Sequence, residues 1–175
     1  MFKLTAILNV AVVGIDLAVR RPTAVVALRG CEVFYMGLAG GDGEVLRVAS
    51  LARPRVVAID APLSLPEGGR GLRDVEVELR RRGYKLLPPL MGPMRLLTER
   101  GIRLSQALGA EVVEVHPLTS LRAMGLSRRR VAEWLGVGHG DLVDAAAAAL
   151  TALAYLQGRY ERIGPFVLPT ARVCL

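Results

Sequence analysis

Two short uncharged runs in this chain end in the same way, on an aspartate. The run VVGID ends at Asp16 and the run VVAID ends at Asp60. Four consecutive uncharged, mostly branched residues between turn signals are typical of a buried strand. In open α/β sheets, ligands bind outside the carboxyl ends of the strands, where both aspartates are expected to lie. The repeated pattern therefore predicts an α/β fold with a polar site at one edge of its sheet.

The first third of the chain supplies the other elements of such a sheet. Its patterns predict an antiparallel meander of strands at 10–18, 23–29 and 32–38, a helix at 44–51 and a fourth strand at 56–60. The crossover helix lets the fourth strand lie parallel to a strand of the meander, and the right-handed rule places it beside the first. We therefore expect Asp16 and Asp60 to meet.

The rest of the chain is mostly helical. Helices are predicted at about 72–82 and 95–108, a fifth strand at 111–117 and an alanine-rich final helix at 139–158. This element order is that of the RNase H-like fold. We predict an RNase H-like α/β protein whose mixed five-stranded sheet, in the order 3-2-1-4-5, is flanked by helices, with a helical insertion between strands 4 and 5. No linker divides the chain, so we expect one domain, 1–175, with the insertion at about 61–110.

Composition indicates the class of partner. The formal net charge is +7, and Lys3 and Lys85 are the only lysines, so nearly all cations are arginines. Arginine suits phosphate binding and favours nucleic acid as the partner, although genome composition can also raise the arginine content. The apolar start at 4–18 is interrupted by Asn9 and Asp16 and predicts a core strand rather than a signal segment. No run reaches about 18 apolar residues, so no membrane association is expected.

The cysteines and amides indicate the environment of the protein. Cys31 and Cys174 form no CxxC pair, so neither a zinc site nor a disulfide framework is indicated, and we expect two ordinary cysteines in a cytoplasmic protein. One asparagine and two glutamines in 175 residues indicate a thermophilic source. The oligomeric state has no signal in the sequence.

Other acids fall where the same sheet edge is expected. Asp141 and Asp144 lie three residues apart, on one face at the start of the final helix, and Glu114 and His116 end the fifth strand. Carboxylates held close together must protonate, find a basic partner or bind a metal ion. A site built only from carboxylate oxygens suits Mg²⁺ or Mn²⁺. The candidate metal ligands are Asp16, Asp60 and Asp144.

Each candidate also has an ordinary structural explanation. Asp16 and Asp60 could each cap the turn that follows its strand. Asp141 could cap the alanine-rich helix, where a carboxylate interacts favourably with the helix dipole. His116 could be a hydrogen-bonded turn residue before Pro117, and Glu114 could lie outside the site. The sequence leaves these alternatives open.

Two runs of cations stand out in the helical half, 80–82 with Lys85 and 128–130. We take Arg81, Arg82, Lys85 and His116 as candidate substrate-binding residues, with solvated helix faces as the alternative for the cation runs. No GxxxxGK[ST] or GxGxxG fingerprint is present, so no nucleotide cofactor is indicated.

Several motifs carry a resemblance to a known family over nearly the whole chain. GIDLA, RPRVVAIDAPLSLP, EVVEVHP and HGDLVDAAAAALTA resemble an uncharacterised prokaryotic family of predicted nucleases with the RNase H-like fold. The final helix also looks like that of Holliday-junction resolvases of the same superfamily. Many relatives carry another residue where Asp141 stands, so the resemblance favours Asp144 as a ligand.

The resemblance implies metal-dependent hydrolysis of phosphodiester bonds in DNA or RNA. Asp16 would bridge two metal ions, Asp60 and Asp144 would each complete one of them, and Asp141 or Glu114 would ligate or orient water. One alternative is a non-catalytic nucleic-acid-binding or scaffold protein of the same fold. Another is a phosphotransferase or phosphohydrolase acting on a nucleotide, although 175 residues leave no second domain to enclose ATP.

Overall fold

The computed structural model describes residues 10–68, 70–138 and 140–175, which form a mixed sheet covered by helices on both faces. The strands are β1 (Ala11–Asp16), β2 (Thr23–Arg29), β3 (Glu32–Ala39), β4 (Val56–Ile59), β5 (Glu111–Glu114), β6 (Tyr160–Ile163) and β7 (Phe166–Pro169). The helices are α1 (Asp42–Ala52), α2 (Asp74–Arg81), α3 (Pro93–Ala107), α4 (Pro117–Met124), α5 (Arg128–Leu135) and α6 (Gly140–Leu156). The strand order is β3-β2-β1-β4-β5-β7-β6.

The predicted order 3-2-1-4-5 is confirmed for the first five strands, but the count of five is wrong. A C-terminal hairpin adds β6 and β7 beyond β5, giving seven strands in the described part of the chain. The sequence analysis missed this hairpin because each strand has only four residues and β7 joins β5 through a single register pair, Glu114 with Phe166. The predicted start of the last helix at His139 and residues 4–9 of the apolar start lie outside the described residues.

Strand alternation sorts the core into two layers on opposite faces of the sheet. Val12 and Ala58 point toward the face that α6 covers, whereas Val13, Ile15 and Ile59 pack on the other face with residues of α1 and α3. Because successive side chains point to opposite faces, Asp16 lies on the α6 face with Val12. Asp60 shares that face with Ala58. The two aspartates are therefore directed toward the helix that carries Asp141 and Asp144.

Helix α6 approaches β1 unusually closely, at Gly14. A Cβ atom built on Gly14 would lie 2.1 Å from the carbonyl oxygen of Ala145 and 2.2 Å from the backbone nitrogen of Ala149. The alanine run from Ala145 to Ala149 is fully buried, and its small side chains permit this approach. Within the described ranges, no helix is long and apolar enough to cross a membrane, and this includes the alanine-rich α6.

We expect Gly14→Ala to destabilise the protein by more than the ~1–3 kcal/mol typical of an overpacked core, because the clash is with helix backbone that cannot rotate away. The matched control is Gly43→Ala in the first turn of α1, where an added Cβ meets no atom within 4 Å. That variant should be neutral or slightly stabilising. Urea unfolding of both variants measures the difference, and equal midpoints would show that α6 does not lie against Gly14.

A disulfide joins Cys31 to Cys174, contrary to the expectation of two ordinary cysteines. Cys31 lies in the exposed turn between β2 and β3, and Cys174 lies in the tail after β7. Their Cα atoms are 5.3 Å apart although 143 positions separate them in the sequence. A single pair at such a distance along the chain has no spacing pattern to recognise, so only the fold reveals it.

Candidate metal centre

Asp16 and Asp60 end neighbouring parallel strands and lie side by side. Strands β1 and β4 are in register, Ile15 opposite Ile59, and the backbone N–H of Asp60 donates a hydrogen bond of 2.8 Å to the carbonyl of Ile15. Asp16 is only 4% exposed, whereas Asp60 is partly exposed. Both carboxylates thus stand at one end of the parallel core of the sheet, on the face that α6 covers.

The first two turns of α6 bring two more carboxylates to this place. Asp144 follows Val143, which packs in the core against the sheet, and Asp141 lies one turn earlier. Arg21 contacts both Asp16 and Asp141, so these two carboxylates share one region. The negative charges of Asp141 and Asp144 raise the pKa of Asp16. The close approach of α6 at Gly14 fixes the helix on the strand that carries Asp16.

Two arginines neutralise part of this acidic cluster. Arg21, in the turn after β1, pairs with Asp141 and donates to Asp16 Oδ2 at 3.3 Å. Arg128, at the start of α5, pairs with Asp144 Oδ2 at 2.9 Å. Among the described residues, Asp60 has no hydrogen-bond or ion-pair partner for its carboxylate. The cluster of four aspartates therefore keeps an excess of negative charge.

Burial and mutual repulsion shift the titration of the cluster. Burial raises the pKa of Asp16 to about 6, against the opposing effect of Arg21. Burial also raises the pKa of Asp60 well above its usual range, and the charges of Asp16 and Asp144 raise it further. The pKa of Asp144 is raised by burial and lowered by Arg128. A divalent cation would relieve both the desolvation and the repulsion.

The donor set fits Mg²⁺ or Mn²⁺, although the side chains are not arranged as a finished site. Asp144 Oδ1 is buried and has no hydrogen-bond partner in the described part of the chain, so one ligand oxygen is unsatisfied. The donors are carboxylate oxygens, which these ions prefer. No group of three Asp, Glu, His or Cys side chains within the described ranges is placed to hold a metal ion. Arg21 and Arg128 supply the positive charge instead.

The raised pKa values predict how the stability of the metal-free protein depends on pH. Between about pH 4 and pH 6 the folded state binds more protons at Asp16 than the unfolded chain does, so the free energy of unfolding falls as the pH rises through this range. Asp60 and Asp144 act in the same direction. We expect calorimetry to give a smaller Tm advantage of Asp60→Asn over the parent at about pH 5 than at about pH 7.5.

The difference in Tm between the parent and Asp60→Asn reports on Asp60 alone, because other titrating groups contribute equally to both proteins. Some of these groups change the free energy of unfolding in the opposite direction. Burial lowers the pKa of His116, so this residue alone makes the free energy of unfolding rise with pH. The Tm of Asp60→Asn should exceed the Tm of the parent by a larger margin at about pH 7.5 than at about pH 5. A difference between the two proteins that is the same at both pH values would contradict the raised pKa of Asp60.

Glu114 ends β5 and points away from α6, and it lines the same pocket as Asp60. It is opposite Ile59 in the register, and its neighbour Val113 packs against α6, so alternation turns Glu114 away from that helix. Its carboxylate accepts hydrogen bonds from Arg73 at 2.6 and 2.8 Å and from the backbone N–H of Leu63 at 2.8 Å. Glu114 thus anchors the segment that follows Asp60. Its role as a ligand or water-orienting group stays a prediction.

The predicted substrate-binding residues occupy other surroundings. His116 Nδ1 is 2.8 Å from the Thr119 hydroxyl oxygen. Arg81 and Arg82 both pair with Glu78, and Arg82 also reaches Glu161 on the edge strand β6 at 2.6 Å. Lys85 is exposed. Of the arginines in the described part, Arg21 and Arg128 are the ones that contact the aspartates, so phosphate binding by Arg81, Arg82 and Lys85 stays a prediction.

The sequence analysis missed a basic groove next to the aspartates. The groove is formed by Arg20, Arg21, Arg100 and Arg103 together with residues around Gly40. Arg100 is paired with Asp42 at 2.6 Å. Arg20 and Arg103 are exposed and have no ion-pair partner among the described residues. The sequence did contain a signal for this groove, the Arg20-Arg21-Pro22 turn. Because the connection between β1 and β2 is short, these arginines must lie close to the end of β1.

Comparisons with known proteins agree with this architecture. A family described as "Protein of unknown function (DUF429)" matches residues 14–136, and no curated protein matches the sequence. The solved structure of T. thermophilus RuvC in complex with Holliday junction substrate is similar, with a TM-score of 0.53 and 15% identity over 91% of this chain and 99% of that chain. A second Thermus thermophilus RuvC structure has a TM-score of 0.51 and 17% identity over the same shares. The fold is therefore RNase H-like.

Proposed function

We propose that this chain, which belongs to the DUF429 family of proteins of unknown function, is a metal-dependent nuclease that hydrolyses phosphodiester bonds of DNA or RNA. The observation that carries the proposal is the meeting of Asp16 and Asp60 at the ends of β1 and β4, beneath the acidic start of α6. The RNase H-like fold supports it, because a solved protein of this fold is in complex with a Holliday junction substrate.

Asp16, Asp60 and Asp144 would hold the metal ion, with Asp141 or Glu114 as a further ligand or water-orienting group. The chemistry that Mg²⁺ or Mn²⁺ supplies when bound is stabilisation of charge on phosphate oxygens and a lower pKa for an attacking water. The assignment is supported by two groups that have no partner among the described residues, Oδ1 of Asp144 and the carboxylate of Asp60. Arg21 has a 49% exposed side chain and can leave Asp16 by moving into solvent.

The segment after Asp60 is held by buried polar contacts rather than by secondary structure. Glu114 accepts from the N–H of Leu63, and Arg73 reaches the Ser64 hydroxyl at 3.0 Å. Glu114 and Arg73 are therefore positioning residues in the proposed mechanism, since they fix the backbone that carries Asp60.

The basic groove would lead the nucleic-acid backbone to the acidic cluster. Phosphate contacts release counterions, so log affinity falls linearly with log salt, with a slope of about −0.9 per duplex phosphate neutralised. We expect Arg103→Gln to weaken binding of a DNA duplex and to reduce the magnitude of this slope by about 0.9. Arg103 is exposed and unpaired within the described residues, so the substitution breaks no internal contact.

The matched control is Arg55→Gln at the other end of the sheet. Arg55 precedes β4, is exposed and lines a separate arginine-rich surface. Fluorescence anisotropy at several salt concentrations measures both variants against the parent. Equal losses in the two variants would mean that the positive charge acts non-specifically and that the groove is not the binding path.

The direct test of the activity is incubation of the purified protein with labelled single-stranded, duplex and four-way junction DNA, and with RNA, with Mn²⁺, Mg²⁺ or chelator. The proposal expects cleavage of at least one of these substrates that chelator abolishes. It also expects Mn²⁺ to raise the Tm of the parent protein, because an ion that binds only the folded state stabilises it.

A non-catalytic nucleic-acid-binding protein is the alternative that a specific observation favours. Arg21 already bridges Asp16 and Asp141, which lets the cluster exist without a metal ion. That alternative expects salt-dependent binding without cleavage and no change of Tm on addition of Mn²⁺. The nuclease proposal is wrong if both of these results are found.

The organisation and location predicted from the sequence remain part of the proposal. We take the chain as one domain with an insertion at about 61–110 and propose a cytoplasmic location in a thermophile. The disulfide is compatible with this location, because intracellular disulfides are common in hyperthermophiles although rare in mesophilic cytosol. Cell fractionation of the source organism, with detection of the protein outside the cytoplasmic fraction, would contradict the location.

A further inference from the structure

A pocket of about 170 Å³ opens beside Asp60 and is distinct from the basic groove. Asp60, Ala61 and Pro62 form one wall, so the pocket begins at the carboxylate that the proposed chemistry needs. Most of the remaining lining is apolar and comes from the insertion and from β7: Leu86, Leu87, Met94, Leu97 and Phe166. The proposed nuclease chemistry assigns no use to the apolar part of this pocket.

The size of the pocket suits one flat ring rather than a whole nucleotide. An apolar cavity of about 150 Å³ is large enough to hold a benzene ring. Pockets that enclose complete drug-sized ligands are larger, roughly 300–1,000 Å³. At about 170 Å³ the pocket accepts a single ring system while the groups attached to it stay outside.

The charges at the inner wall exclude a phosphate from the pocket. Arg73 is the cation of this wall, and it faces the carboxylates of Glu76 and Glu114. All five N–H donors of its guanidinium are engaged, by these two carboxylates and by the Ser64 hydroxyl. The wall formed by Arg73, Glu76 and Glu114 has neither a free donor nor net positive charge to hold an anion, so the occupant is not a phosphate.

One polar group of the lining is free to contact such an occupant. His116 lines the pocket, and its Nδ1 contacts the Thr119 hydroxyl, while its Nε2 has no hydrogen-bond partner among the described residues. The chain beside the pocket exposes an apolar surface made of Leu87, Leu90 and Met91. Apolar side chains of this type are used by proteins that separate stacked bases.

We propose that this pocket receives one nucleobase turned out of its stack, so that the substrate is nucleic acid with an unpaired base next to the phosphate at Asp60. The inference rests on the proposed nuclease function and specifies its substrate class. A base is flat, carries no negative charge and can hydrogen-bond at its edge, which suits the size, the charge and the His116 of the pocket. The basic groove, which reaches Asp16 through Arg21, would then hold phosphates of the same strand.

The test compares two DNA duplexes that differ only in one base. The first carries a single unpaired thymine, and the second carries an abasic residue at that position, so both have the same phosphates. Fluorescence anisotropy without added metal measures Kd for each. The parent should bind the first duplex about tenfold more tightly, because only that duplex supplies a base to fill the pocket.

Met94→Trp fills the pocket and should bring the ratio of the two Kd values close to one. The control is Leu51→Trp, which adds the same ring at a 77% exposed position at the far end of the sheet and should keep the parent ratio. Leu87→Ala removes part of the apolar wall at a site that is 57% exposed, so this variant should fold. It should lower the ratio of the two Kd values, and it tests the proposal if Met94→Trp does not fold.

The outcomes separate this inference from the proposed function. Equal Kd values for the two duplexes in the parent, with metal-dependent cleavage intact, would overturn the pocket assignment alone. A parent-like ratio in a folded Met94→Trp variant would do the same. Absence of binding to either duplex and of cleavage of any nucleic acid would overturn both proposals.

Discussion

Asp60→Asn is expected to abolish metal-dependent cleavage and, in the same protein, to raise the Tm measured without metal. Cleavage should fall by at least about a thousandfold, because a bound metal supplies several kcal/mol of transition-state stabilisation and ~1.4 kcal/mol is tenfold in rate. The Tm should rise because burial and the charges of Asp16 and Asp144 raise the pKa of Asp60, so its ionised form destabilises the fold. The substitution breaks no ion pair within the described residues.

The opposite directions of the two effects make the result specific. A purely structural aspartate that capped a turn would lose about 1 kcal/mol on replacement, and the Tm would fall. Asp74→Asn is the matched control, since the Asp74 side chain is 99% exposed on α2 and its one ion pair among the described residues is with Arg70, at 3.8 Å. It should leave both cleavage and Tm unchanged. An Asp60→Asn protein that melts lower and cleaves at the parent rate would identify Asp60 as a structural residue.

Loss of the Cys31–Cys174 disulfide is expected to produce the largest change in stability. The bond closes a loop across 143 positions, and in the chain-entropy model closure of so long a loop contributes about 5 kcal/mol. For a domain of this size 1 kcal/mol corresponds to roughly 2–4 °C, so Cys31→Ser should lower the Tm by about 10–20 °C.

Reductant provides the internal control for this prediction. It should lower the Tm of the parent to that of Cys31→Ser and leave the Tm of the variant unchanged. Thiol titration of the unfolded, unreduced parent should find no free cysteine. Two titratable thiols, or a parent Tm that reductant does not change, would contradict the bond.

The parts of the fold that could be predicted are those whose signal is local. The runs ending at Asp16 and Asp60 have the composition of buried strands, and the crossover between them has one allowed hand, so the order of five strands followed. The alanine run predicted α6, and two aspartates three residues apart had to share one of its faces. The position of Asp16 and Asp60 at the ends of neighbouring strands was thus predictable from the strand pattern.

The parts that were missed depend on contacts between distant segments. Arg21 pairs with Asp141 across 120 positions, and Arg73 pairs with Glu114 across 41, so neither pair leaves a pattern in the sequence. The face occupied by Glu114 depends on the register of β5 against β4, which the sequence analysis did not fix. The β6–β7 hairpin and the disulfide were missed for the same reason, because both depend on the packing of the C-terminal segment against the rest of the sheet.

The most direct test of the metal centre is a crystal structure of the protein soaked in Mn²⁺, with diffraction data collected at the manganese absorption edge. We expect an anomalous peak in contact with carboxylate oxygens of Asp16, Asp60 and Asp144, and a guanidinium of Arg21 that has moved away from Asp16. A map without an anomalous peak at these aspartates, in which Arg21 still bridges Asp16 and Asp141, would contradict a metal centre at this site.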